Sequence, residues 1–130
     1  MLLRSKLDKA RKGALMFFNK QKKLGKKSSI YKNTKKIIRK SPFTIKYSYS
    51  VSQLNDIRLF YNDVDTHYAE TDSNSIYLNV YHDYTDKVLL NTLTHEAMHF
   101  IIYRNNKHYL PEKKEHIIME MINPELIYII

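Results

Sequence analysis

The stretch Thr92-Leu93-Thr94-His95-Glu96-Ala97-Met98-His99-Phe100-Ile101 decides how the rest of the chain is read. Val88, Leu89, Leu93, Ala97, Phe100 and Ile101 recur at helical spacing, which predicts a helix over 85–104, broken by Asn105-Asn106. Apart from Glu96, the residues around and between the two histidines, Leu93, Thr94, Ala97, Met98, Phe100 and Ile101, are uncharged, as a buried helix requires. His95 and His99 are four apart, so both rings project from one helix face, one turn apart. Two imidazoles placed this way can share one zinc ion at ~2.0–2.1 Å from each nitrogen. Glu96 can reach a water on that ion without binding the metal, take its proton as general base and hand it to a leaving amine. The plain alternative is a helix with two surface histidines and an ordinary glutamate. The uncharged flanks argue against it.

Working outward from this helix, 66–71 and 76–81 read as strands with turn residues Asp72-Ser73-Asn74-Ser75 between them. Strand 76–81 is expected to form an edge along which an extended peptide pairs. Residues 52–62 fit either a short helix or a strand. Phe43, Ile45, Tyr47, Tyr49 and Val51 alternate, which predicts a strand over 43–51. Further back, Leu3, Leu7, Ala10, Ala14, Phe17 and Phe18 predict an amphipathic helix over 2–24, stopped at Gly25. Residues 26–33 read as a polar link. A further helical turn over 34–40 ends at Ser41-Pro42. On the other side, Pro111 suits a helix start, and 111–123 is the last expected helix, with Glu112 and Glu115 early and Asn123-Pro124 as its stop. A short apolar tail, 126–130, follows. The predicted class is α+β: an N-terminal helix, a small, mostly antiparallel sheet of three or four strands, the motif-bearing helix and a C-terminal glutamate helix.

The 130 residues suggest one compact unit in two parts, a basic helical arm over 1–40 and a body over 41–130. Residues 1–40 hold 15 Lys and Arg against one acid, Asp8, whereas 41–130 hold 7 against 12, so charges of +14 and −5 make up the net +9. Such an arm can contact nucleic-acid phosphates, or form a solvated helix face resting on the acidic body. No base-reading motif accompanies it. With no cysteine, disulfides and thiolate metal sites are excluded, and any metal must sit on His, Asp, Glu or water. No run approaches the ~18 apolar residues of a membrane span, and no secretory signal is evident, so a cytoplasmic protein is expected.

The extended pattern Thr92-x-x-His95-Glu96-x-x-His99-x-Ile101 resembles that of the zincin metallopeptidases. It lacks the following Gly and third His of a metzincin and is more similar to the gluzincins, whose third ligand is a glutamate on the next helix. The small size, basic N-terminal helix and short sheet are similar to the archaeal minigluzincins and selecase-like minimal metallopeptidases. The likeness is centred on 76–122. It implies a zinc cofactor, a peptide or protein substrate, and hydrolysis through Glu96. It also implies self-inhibition, with the tail 124–130 as the blocking segment. Candidates for the third ligand are His108, Glu112, Glu115, His116 and Glu120. At ~100° per residue, Glu115 borders the apolar face of Ile117, Ile118, Met121 and Ile122, whereas Glu120 lies farther round. Helix phase therefore favours Glu115, and the family's spacing past the second histidine favours Glu120. Tyr103, His108 and Tyr109 are candidates for stabilising an oxyanion. Two other readings stand beside a peptidase: a catalytically silent zinc-binding regulator whose basic arm contacts nucleic acid, and a structural domain with a fortuitous motif.

Overall fold

A computed structural model of the chain describes residues 4–38, 48–60, 69–71, 75–79, 82–106 and 111–123. The described elements form an α+β fold: helices α1 (Arg4–Leu24), α2 (Ser29–Ile38), α3 (Ser48–Asn55), α4 (Asp86–Asn106) and α5 (Glu112–Ile122), with strands β1 (Ile57–Phe60), β2 (Ala69–Thr71) and β3 (Ile76–Asn79).

α1 buries Ala10, Ala14, Phe18 and Gln21, a single stripe at helical spacing. It lies along α4, and the approach is close at Gly13, where an added Cβ would stand 2.9 Å from Leu90 Cδ1. Gly25, at φ +55°, ends the helix in the left-handed conformation that glycine adopts without penalty. α2 begins at Ser29, inside the stretch expected to be a polar link. The physical cause is local. Ser28 Oγ accepts from the Tyr31 amide at 3.0 Å as a helix cap, and Gln21 Oε1 accepts from the Ile30 amide at 3.4 Å, tying α1 to α2. Ile30 and Thr34 are then buried on one face of α2, which packs on α5.

Residues 48–51, expected as the end of a strand, belong to helix α3, which packs on α1 and α4 and buries Gln53 and Leu54. Tertiary contact overrides the alternating pattern here; residues 43–47 of that expected strand lie outside the described residues. Of the ambiguous 52–62 stretch, 52–55 form the end of α3 and Ile57–Phe60 form β1, and residues 61–62 lie outside the described residues.

The sheet has the order β1-β3-β2. β1 runs parallel to β3, with Ile57 opposite Ile76 and Leu59 opposite Leu78, and β2 runs antiparallel to β3, with Ala69 opposite Leu78 and Thr71 opposite Ile76. Among the described residues the sheet is mixed, not mostly antiparallel. The strand expected as a free edge, 76–81, is central over Ile76–Asn79, and Ile76, Leu78 and Asn79 are buried there. Asp56 holds the start of the parallel pair: its Oδ2 accepts from Ser75 Oγ at 2.6 Å and its carbonyl accepts from the Ile76 amide at 3.2 Å.

α4 is the hub of the fold. It contacts α1, α3, α5, β2 and β3, so it is buried nearly all round, with Leu89, Leu93, Ala97, Met98, Ile101 and Ile102 in the core. Its buried hydroxyls bond within the helix, Thr92 Oγ1 to the Val88 carbonyl at 2.7 Å and Thr94 Oγ1 to the Leu90 carbonyl at 2.9 Å. Thr85 Oγ1 caps its start by accepting from the Val88 amide at 3.1 Å. The helix continues through the expected break at Asn105-Asn106, two residues past the expected end at 104. No described helix is long and apolar enough to cross a membrane.

Candidate metal centre

α4 presents His95 and His99 on successive turns of a helix held by its neighbours on several sides, so the two rings have little freedom. Their Nε2 atoms lie 3.0 Å apart and the ring centroids 4.6 Å apart. The separation of two donors on one tetrahedral zinc is about 3.3 Å, given ~2.0–2.1 Å bonds. Backbone placement thus already brings the two nitrogens within reach of one ion.

α5 supplies the rest. The carbonyl of Pro111 accepts from the Lys114 and Glu115 amides at 2.8 and 3.1 Å, closing the first turn. The buried stripe of α5 is Glu115, Ile118 and Met119. Its orientation sets Glu115 against His99, with Glu115 Oε1 2.6 Å from His99 Nδ1. Glu115 is only 3% exposed, a burial that a carboxylate tolerates only with polar partners such as this one. A neutral His99 that donates from Nδ1–H to Glu115 presents the lone pair of Nε2 towards His95. Glu115, the ligand favoured on helix phase, thus reaches the site, but its carboxylate lies behind a histidine ring.

His116 comes in one residue later. Its ring centroid lies 5.4 Å from those of both His95 and His99. One ring nitrogen from each of the three histidines falls within 4.8 Å of the others, so the cluster, with His95 buried and the other two half-buried, could hold a metal ion. His116 Nε2 is buried with no hydrogen-bond partner among the described residues, and Glu112 Oε1 stands 3.8 Å away, beyond hydrogen-bond reach. Burial first, then the neighbouring His99, lowers the His116 pKa from its ordinary 6.5, against the opposing pull of Glu112 and Glu115. Both leading causes favour the neutral ring, the form that binds metals. An orphaned buried nitrogen beside two other imidazoles is the donor set a cation such as zinc fits, although imidazoles also suit copper, nickel and iron.

Glu96 is half-buried on the side of α4 that faces the sheet. Its Oε2 accepts from Thr71 Oγ1, on β2, at 2.7 Å. Of the remaining third-ligand candidates, Glu112 and Glu120 are exposed and His108 lies outside the described residues. Tyr103 sits on α4 with its ring 5.7 Å from that of Phe100; Tyr109 and the tail 124–130 lie outside the described residues. Glu112, Lys113, His116, Ile117 and Glu120 line an open groove of about 520 Å³ on α5, which reaches the cluster at His116. Thr71 had no signal in the sequence, because its partner is 25 residues away on another element. No family model, curated protein or solved structure matches this chain.

Proposed function

We propose that this chain is a zinc-dependent peptidase that hydrolyses peptide bonds with Glu96 as general base. The observation that carries the reading is the convergence of His95, His99 and His116, with Glu96 next to the first of them on the same rigid helix. The three imidazoles would hold zinc, a Lewis acid able to polarise a peptide carbonyl and lower the pKa of water. Glu96 accepts the proton of the attacking water at its carboxylate and passes it to the departing amine. Glu115 fixes the tautomer and tilt of the His99 ring. An extended peptide would lie along the side of β2 that no strand pairs among the described residues, since β3 is paired on both sides and β2 is the strand that adjoins α4 at Glu96.

The test is Glu96→Ala, assayed for zinc by mass spectrometry and for cleavage of a quenched-fluorescence peptide library. The variant is expected to retain zinc and lose cleavage. Cleavage at the wild-type rate removes Glu96 from the mechanism, and a wild-type chain without stoichiometric zinc ends the proposal.

A second reading, a nucleic-acid-binding regulator, is favoured by one observation. Lys27, Lys32, Lys35 and Lys36, with Ser29, Tyr31 and Asn33, line an open groove of about 570 Å³ that no described acid borders. Four cations there would displace counterions from a phosphate backbone. Binding to single- or double-stranded DNA should weaken steeply with salt and be lost in a Lys32→Glu, Lys35→Glu double variant. Equal binding by that variant rules out the groove.

A further inference from the structure

We infer that Thr71 is the positioning residue for Glu96, an edge-strand hydroxyl that fixes the carboxylate of the general base. This rests on the peptidase reading for its catalytic consequence, although the contact itself does not.

The helix fixes the Glu96 backbone but leaves three side-chain torsions to be set. A base that must meet a water and then an amine gains from being held in one geometry. Thr71 Oγ1 lies 2.7 Å from Glu96 Oε2 and 3.3 Å from the Glu96 carbonyl oxygen. A hydroxyl has one proton, and an ionised carboxylate can only accept. The proton therefore goes to Oε2, at the length of a charge-assisted bond. The more distant carbonyl belongs to the helix backbone.

Thr71 is itself well held. It stands opposite Ile76 in the β2–β3 pair, and Ile76 is fully buried and anchored through its amide to the Asp56 carbonyl. A β-branched side chain in a strand has few χ1 choices. The donor thus comes from the sheet and the acceptor from α4. The orientation of Glu96 depends on how the edge strand is seated, the same strand along which a substrate would pair.

The alternative is that the bond merely fastens β2 to α4. Thr71→Val keeps the shape and β-branching but removes the donor, and Thr71→Ser keeps the donor. Thr71→Val is expected to hold zinc stoichiometrically and to lose about tenfold or more in kcat, with KM little changed, as for loss of a charge-assisted bond to a catalytic group. Thr71→Ser is expected to recover most of the loss. A Thr71→Val kcat equal to or above wild type overturns the inference, and so does failure of Thr71→Ser to recover activity while it holds zinc.

A measurement independent of turnover accompanies these: a double-mutant cycle of Thr71→Val and Glu96→Ala read by unfolding midpoint. The double variant should lose clearly less than the sum of the single losses. Additive losses overturn the contact. A wild-type chain that binds zinc but cleaves no peptide, with the cycle still non-additive, refutes the peptidase reading and leaves Thr71 positioning Glu96.

Discussion

Replacing His116 and Glu115 one at a time separates a metal ligand from a residue that orients one. With zinc at about 100 times its dissociation constant, binding should stabilise the wild-type chain by about 2.7 kcal/mol. A chain of this size shifts by roughly 3–5 °C per kcal/mol, so the midpoint should rise by about 8–13 °C. Glu115 stands one hydrogen bond behind His99. Glu115→Gln keeps an acceptor oxygen but loses the charge, and loss of such an outer partner weakens metal binding by about 10–100-fold. At the same zinc concentration the stabilisation falls to about 0.4–1.4 kcal/mol, a rise of roughly 1–7 °C. His116→Ala removes one of three donors and should fall below that range, with a rise under about 1 °C. The assay is thermal unfolding followed by circular dichroism, with added zinc and with chelator, supported by metal content after gel filtration. The opposite ranking refutes the assignment: if His116→Ala keeps the full rise and Glu115→Gln abolishes it, Glu115 is the ligand and His116 a bystander.

Three further outcomes follow from the fold. Leu93 is fully buried in the core beneath the motif, so Leu93→Ala should cost about 2–5 kcal/mol in urea unfolding; a loss below about 1 kcal/mol would mean that the core around α4 is looser than described. Gly13→Ala should gain less than the ~1 kcal/mol that helix propensity offers, because the new Cβ meets Leu90 Cδ1 at 2.9 Å; the full gain would place α1 farther from α4. The metal-free chain should lose stability as pH falls below 6.5, because the lowered pKa of His116 lets the unfolded chain bind that proton more readily than the folded one. His99, Glu112 and Glu115 face that ring. The loss attributable to His116 stops once pH passes below its folded pKa, and His116→Gln should flatten that part of a stability–pH curve.

The sequence shows some elements far better than others, and the difference tracks how local their causes are. α4 is legible because its burial, spacing and paired histidines lie within one stretch. α1 is legible from its apolar stripe and the Gly25 stop. The start of α2 is missed because the residues that fix it, Ser28 as cap and Gln21 reaching across from α1, look like ordinary linker polarity. The 43–51 alternation is a sound strand pattern, yet Ser48–Asn55 is helical because it docks on α1 and α4. β3 is recognisable as a strand, but its central position depends on β1, which has no clear pattern of its own. The site divides in the same way. The spacing of His95, Glu96 and His99 is local. Whether Glu115 or His116 faces the ligand cluster turns on one residue of helix rotation, about 100°, and on a ring of the preceding helix. Thr71 is silent because a strand hydroxyl has no signature until its partner is known.

The seating of α1 along α4 also bears on how the chain is made. α3 packs on the first helix, but α4, which lies along it, begins only 82 positions after it, Arg4 to Asp86. At the usual ~5–20 residues per second of synthesis, the apolar stripe of α1 stays without that part of its cover for roughly 4–16 s. Throughout that interval the helix carries eight Lys and Arg against one acid, which keeps nascent copies apart by mutual repulsion. Charge suited to grip a polyanion is equally suited to keep an unfinished chain from sticking to its neighbours on a polysome. Neutralising lysines on α1 should therefore lower the yield of soluble protein before it lowers the stability of the finished fold.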